Sequence, residues 1–147
     1  MGPYKLSKAG EARLLLVHPD LQKCTRRTLE IMDIMVDEST IRTIVQQKEF
    51  FDKGVSKTMD SLHLPRAFPE FGGQLLVCAV DINPYPLDFK NKARYIYMAG
   101  LFMMAADELY KKGEISHGIR WGGDWNRNND PSDEKFEDMG HFELILD

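Results

Sequence analysis

Apolar positions recur at helical spacing through Leu21, Cys24, Thr28, Ile31 or Met32, and Met35. That period predicts a helix opening at His18-Pro19-Asp20 and running to about Asp37, with the proline and acid suited to its first turn. Ile41-Arg42-Thr43 reads as a strand end or turn. A second helix is predicted from about Ile44 to Lys53, stopping at Gly54, where a glycine closes a last turn well. The polar run Ser56 to Ser61 reads as a loop. Alternation then replaces the helical period. Leu75 to Ile82 is the best predicted strand, with Val77, Ala79 and Asp81 on one face and Leu76, Cys78 and Val80 on the other. A long helix is predicted from a cap at Asp88 to Lys112, closed by Gly113. Ile96, Tyr97, Leu101, Met104, Ala105 and Leu109 are its expected core contacts. Ile119–Trp121 and His141–Leu146 are predicted strands. In the second, His141, Glu143 and Ile145 alternate with Phe142, Leu144 and Leu146.

Helices interleaved with a few short strands predict an α+β fold, a small and mostly antiparallel sheet with helices packed on it. No repeat, low-complexity tract or linker divides the chain, so residues 1–147 are expected to form a single domain. With 147 residues and 43% hydrophobic content there is enough apolar material for a real core. Between Leu64 and Gln74, Pro65, Pro69, Gly72 and Gly73 punctuate the chain around Phe68 and Phe71, which predicts an irregular excursion. A net charge of −4 without a long basic run argues against nucleic acid and against adhesion to anionic surfaces. Two cysteines, Cys24 and Cys78, are too few for a disulfide framework. The longest apolar run, Tyr95 to Ala106, falls short of the roughly 20 residues that cross a bilayer. The N-terminus lacks the apolar core of a secretory signal. The expectation is a protein made in the cytoplasm, with no stable membrane association.

The chemistry concentrates near the end of the chain. Asp138 stands three residues before His141 on the threshold of a short strand, the pairing a metal-bound histidine with a carboxylate base beside it requires. A catalytic zinc takes three protein ligands and keeps one position for water. Other candidates are Ser61-Leu-His63 and Asp81, an acid ending an apolar strand that is costly to bury without a cation or donors. A capped strand end is the plainer reading of Asp81. His18 reads as a capping residue and His117, in Ser-His-Gly, as a turn residue. Cys78 reads as a small buried apolar residue.

Taken together, Ser61-x-His63, Ala79-Val-Asp81 and Asp138-x-x-His141-Phe resemble the zinc peptidases of peptidoglycan, a family of D-Ala-D-Ala dipeptidases, D,D-carboxypeptidases and L-alanyl-D-glutamate endopeptidases. His18-Pro-Asp-Leu21, Arg42-Thr43 with Gln47, Gly54-Val-Ser-Lys-Thr58 and Trp121-Gly-Gly-Asp-Trp125 are similar to the phage endolysin branch, in the right order over nearly the whole chain. The resemblance implies a zinc peptidase domain with His63, Asp81 and His141 as zinc ligands. It makes Asp138 the general base and Arg42 the cation at the reacting carbonyl. Ser61, Trp121 and Asp124 are its candidates near the substrate, with a framework role an equal alternative for Trp121, Asp124 and Trp125. The implied partner is the peptidoglycan stem peptide, cut by a monomer that leaves the host cytoplasm at lysis. D,D-carboxypeptidase or dipeptidase activity is the alternative within the family. A zinc domain that only binds wall peptides is the alternative outside catalysis.

One departure concerns spacing. The family pattern separates its first histidine and aspartate by about seven residues, whereas His63 and Asp81 are 18 positions apart, and Arg66 replaces a family glycine. Loop closure costs little for added length, so the ligand set is expected to survive. The insertion, residues 64–75, is expected beside the site, either leaning over the cleft with Arg66 and Glu70 as polar contacts or packed on the outer surface.

Overall fold

The computed structural model describes residues 2–56, 58–59, 61–134 and 138–146. Lys57 and Asp60, in the loop expected at 56–61 and, for Lys57, in the Gly54–Thr58 motif, lie outside the described residues. Four strands form one antiparallel sheet in the order β1 (Ile34–Val36), β4 (Ala79–Pro84), β6 (His141–Leu144) and β5 (Ile119–Trp121). A separate hairpin pairs β2 (Arg66–Phe68) with β3 (Gln74–Leu76). The helices are α1 (Lys8–Leu14), α2 (Pro19–Leu29), α3 (Ile44–Asp52) and α4 (Lys92–Lys111). This is the expected α+β class.

The sheet and α4 bury each other. Phe102 of α4 stacks on Phe142 of β6 with ring centroids 4.0 Å apart, and both are fully buried. The buried face of α4 is Tyr95, Met98, Ala99, Phe102, Ala105, Ala106 and Leu109, a three-and-four spacing. The expected face was turned the wrong way. Ile96, Tyr97 and Met104 are exposed, and of the six expected contacts only Ala105 and Leu109 are buried. The segment is apolar on nearly every side, so its own pattern marks no outward face. The sheet decides.

Two boundaries also differ from expectation. Helix α2 stops at Leu29, and Ile34–Val36 leaves the helical path to pair with β4, Ile34 and Val36 inward. The predicted strand over 75–82 is two strands. At Val77 and Cys78 the backbone turns from the hairpin to the main sheet, Val77 bonding to Leu16 and His18 and Cys78 to Leu62 and Leu144. Both halves are apolar and buried beyond Leu75, so the break leaves no trace in the pattern. The sequence reading did not anticipate α1. Capping followed chemistry closely elsewhere. His18 caps α2, Thr43 and Gln46 form a capping box on α3, and Asn91, not Asp88, caps α4.

The insertion is a short hairpin around a 3₁₀ turn at Pro69–Phe71. Phe68 and Phe71 meet the His18 ring edge-on at 5.1 and 5.5 Å. None of the described residues 64–75 lines the main cleft. Of the two alternatives for the insertion, the packing supports the outer-surface one, and Arg66 and Glu70 stay out of the cleft.

Candidate active site

Register brings the first two groups together. Strands β4 and β6 pair so that Asp81 and His141 stand directly opposite. Phe142 and Leu144 on the other face of β6 are buried at 0% and 1% exposure, which fixes His141 by anchoring its neighbours. His63 arrives from the segment before the hairpin. That segment is stitched to the body where Arg42 N–H donates to His63 O (3.2 Å), Cys78 N–H to Leu62 O (2.9 Å), and His63 N–H to Ser61 Oγ (3.1 Å).

The three side chains then converge. His63 Nε2 lies 3.2 Å from Asp81 Oδ1, His141 Nδ1 lies 3.2 Å from the same oxygen, and the two ring nitrogens are 3.1 Å apart. The outer nitrogens fix the tautomers. His63 Nδ1 must donate to the Thr40 carbonyl at 2.9 Å, because that oxygen only accepts. His141 Nε2 donates to Glu143 Oε1 at 2.7 Å. In neutral imidazoles both inner nitrogens therefore present lone pairs to a carboxylate oxygen. Three electron-rich atoms this close need positive charge among them. A proton serves: burial opposes charge on His141, yet its bonds to Asp81 and Glu143 outweigh that and raise its pKa to about 10. A metal ion serves as well. Ligand atoms about 2.0–2.1 Å from a tetrahedral zinc lie roughly 3.3 Å from one another, close to the distances here. Residue type, spacing and the orienting outer bonds all fit such an ion.

The second oxygen of Asp81 accepts from Ser39 Oγ (2.6 Å) and Arg42 Nη2 (3.4 Å), while Thr40 Oγ1 accepts from Asp81 N–H (3.0 Å). Burial alone pushes this carboxyl up, but His63 and His141 hold it well below the usual range. Arg42 is oriented on three more sides. Its Nε donates to Ser39 O, its Nη1 to Gln47 Oε1 at 3.0 Å, and its guanidinium lies over the Phe50 ring at 4.8 Å. Gln47 is itself fully buried and tied to Ser56 and Thr58.

Asp138 reaches the site through two glycines. Asp138 N–H donates to Gly122 O and Gly122 N–H to His141 O, each at 2.8 Å. A Cβ on Gly122 would stand 2.2 Å from the Asp138 carbonyl oxygen, and one on Gly140 2.4 Å from Ile82 O. Only glycine allows either approach. The Asp138 carboxylate stops 3.9 Å from His141 Nδ1, too far to be one of the three converging groups. Enclosure in the cleft and the nearby Asp81 charge raise its pKa, against the pull of His141, His63 and Arg42.

A cleft of about 830 Å³ surrounds these groups, with Phe50, Val55, Leu62 and Trp125 among its walls. Ser61 lines it. Trp121 and Asp124 do not. Trp121 is 8% exposed and its indole N–H donates to Met139 O at 2.8 Å, while Asp124 accepts from Asn128 and Asn129 N–H. Trp121 thus bonds to the turn carrying Asp138, and Asp124 to the loop at 128–129, contacts of the framework kind. Sequence reasoning missed Glu143, Ser39, Thr40 and Phe50. Glu143 had a signal, since two residues after His141 on a strand is the same face.

A second His/Asp group, His18, Asp20 and His117, has different chemistry. The inner lone pair of His18 is taken by Asp20 N–H at 3.0 Å, so the neutral ring carries its proton on Nε2 and offers no second lone pair. Burial lowers the His18 pKa and favours that neutral form. Asp20 Oδ2 accepts from Ser116 N–H, His117 N–H and His117 Nδ1 at 3.0, 3.1 and 2.8 Å. This network ties α2 to the approach to β5.

Comparison with known proteins follows the same outline. The sequence model of the phage L-alanyl-D-glutamate peptidase family matches residues 1–145. The L-alanyl-D-glutamate peptidase of Escherichia phage T5 is 30% identical over 150 residues, spanning 97% of this chain and 98% of that protein. The crystal structure of the Serratia marcescens L-Ala D-Glu endopeptidase ChiX superposes with a TM-score of 0.67 at 26% identity, covering 96% of this chain and 90% of that one.

Proposed function

The chain belongs to the phage L-alanyl-D-glutamate peptidase family, and on that premise we propose a zinc-dependent, endolysin-like endopeptidase that cuts the L-alanyl–D-glutamate bond of peptidoglycan stem peptides during host lysis. The observation that carries the zinc assignment is the His63–Asp81–His141 triangle, whose lone pairs are turned inward by fixed outer partners. Zinc bound there supplies Lewis acidity, both to an attacking water and to the scissile carbonyl.

The remaining roles fall to this chain's own groups. Asp138 takes a proton from the attacking water and returns it to the leaving amine. Its carboxylate, 3.9 Å from His141 Nδ1, stands beside the triangle without being part of it, as a general base and acid requires. Arg42 donates to the carbonyl oxygen as that atom gains negative charge; its guanidinium is already aimed by Gln47, Ser39 and Phe50, so little reorganisation is needed. Thr40 and Glu143 hold the two imidazoles. Phe50, Val55, Leu62 and Trp125 line the peptide's path and displace water from it. No described helix is long and apolar enough to cross a membrane.

Digestion of purified peptidoglycan followed by mass spectrometry tests the bond. A new D-Glu amino terminus is the expected product. Released D-Ala would instead mean a D,D-carboxypeptidase, and an unchanged wall would end the peptidase reading. Zinc dependence has a separate check: a chelator should abolish turnover and added zinc restore it.

A further inference from the structure

A second cavity, of about 560 Å³, opens beside the first. Ser39, Asp81 and Asp138 line both, so the general base stands on their common boundary. The floor of the second is closed by its own hydrogen bonds. Tyr95 O–H donates to Asn83 Oδ1 (2.6 Å), Asn83 Nδ2 donates to Asp37 Oδ2 (3.0 Å), and Ser39 N–H donates to Asp37 Oδ1 (2.9 Å). Both Asp37 oxygens are thus occupied by donors. The start of α4 and the segment before it contribute Lys92 and Lys90, the cationic residues among the described lining residues.

We infer that this cavity receives the D-glutamyl residue on the leaving side of the scissile bond, with Lys90 and Lys92 holding its free carboxylate. The inference rests on the endopeptidase reading above and adds the origin of its selectivity. A glutamyl residue acylated on its amine has two carboxyl groups. Only one can continue the peptide, and the other stays as a carboxylate at neutral pH. The amine that leaves must lie against Asp138 to receive a proton, which places the residue bearing it on the shared boundary. From there two directions are open. Asp81 and Asp138, with the zinc proposed at Asp81, stand on the boundary of both and do not distinguish them, whereas the main cleft adds one guanidinium, already bonded to Asp81 and Gln47, among Asp133, Glu134 and Glu143. The second cavity adds two ammonium groups and one acid, Asp37, both of whose oxygens accept hydrogen bonds. Charge favours the second direction, and lysine suits a carboxylate as a point charge on a flexible stem.

Two synthetic peptides test this. Both carry L-Ala joined to the D-Glu amine and a diamino acid on the D-Glu γ-carboxyl. One keeps the α-carboxylate and the other has it amidated. The parent enzyme is expected to cut the acid with kcat/KM at least about tenfold above the amide, chiefly through KM. In the double variant Lys90→Met, Lys92→Met the acid should fall to the level of the amide, with the amide unchanged. Equal cleavage of both peptides by the parent overturns the inference, and needs no variant. So does a variant that keeps the parent's preference, or one that loses both substrates alike. A parent that cuts neither peptide removes the endopeptidase reading itself, a separate and visible failure.

Discussion

At the scale of single residues, the site is ordered by who may hold a proton. Glu143 keeps the outer proton of His141, and through it the direction of the inner lone pair. Glu143→Ala should therefore weaken zinc binding roughly 10- to 100-fold in competition with a chromogenic chelator, with the fold intact. Unchanged affinity would show that the outer bond does not matter. Asp138 stands apart from the three converging groups, so its loss should separate chemistry from binding. Asp138→Ala is expected to retain one zinc per chain while turnover falls roughly 10²- to 10⁴-fold. Turnover near the parent's, or loss of the zinc, would remove its assignment as base.

At the scale of elements, the turn Trp121–Trp125 shows what a motif can be for. Gly122 lets the Asp138 segment lie against the end of β5, and Trp121 bonds to Met139. Gly122→Ala should cost about 1–3 kcal/mol and depress activity with it, by pushing Asp138 off its place. Gly100→Ala on α4 meets nothing within 4 Å and should instead stabilise by about 0.5–1 kcal/mol, so melting curves of the pair give an internal comparison. The hairpin 66–76 makes a contrasting case. Replacing Pro65 through Gln74 with a short turn should lower stability, by uncovering His18, yet leave KM and kcat within about twofold, since the hairpin lines no part of the cleft. A large kinetic change would restore the insertion as part of the site. These elements also mark the limit of what the sequence disclosed. Residue type alone raises Asp81 as a candidate, since an acid is costly to bury, but its plainer reading is a capped strand end, and it is the family resemblance that implies His63, Asp81 and His141 as a set. The face of α4 and the break at Val77 were not legible, because uniformly apolar stretches carry no record of which neighbour they meet. Trp121 and Asp124 stand out in the sequence, but a motif does not say whether it touches substrate or braces what does.

At the scale of the whole molecule, Asp20 is the polar rivet between α2 and the approach to β5. Burial would raise its pKa, but the bonds from His117 and Ser116 win and hold it below the ordinary carboxylate value. A depressed carboxyl stabilises the fold above its unfolded pKa of about 3.9, and that contribution is lost as pH falls through the folded value. Asp20→Asn should therefore lower Tm by roughly 4–10 °C at neutral pH. The gap between parent and variant should narrow below about pH 4. A gap independent of pH would mean that shape, not charge, makes the joint. The strand order holds a last consequence. Strand β6 lies between β4 and β5, and His141 sits on it 60 residues beyond its cross-strand partner Asp81. Until that strand slides into its slot, β4 has an open edge, Phe102 lacks the ring it stacks on, and the metal-facing triangle has only two corners. Sheet closure and completion of the His63–Asp81–His141 triangle are thus one event. A growing chain that has not yet reached β6 therefore has neither its closed sheet nor a complete site.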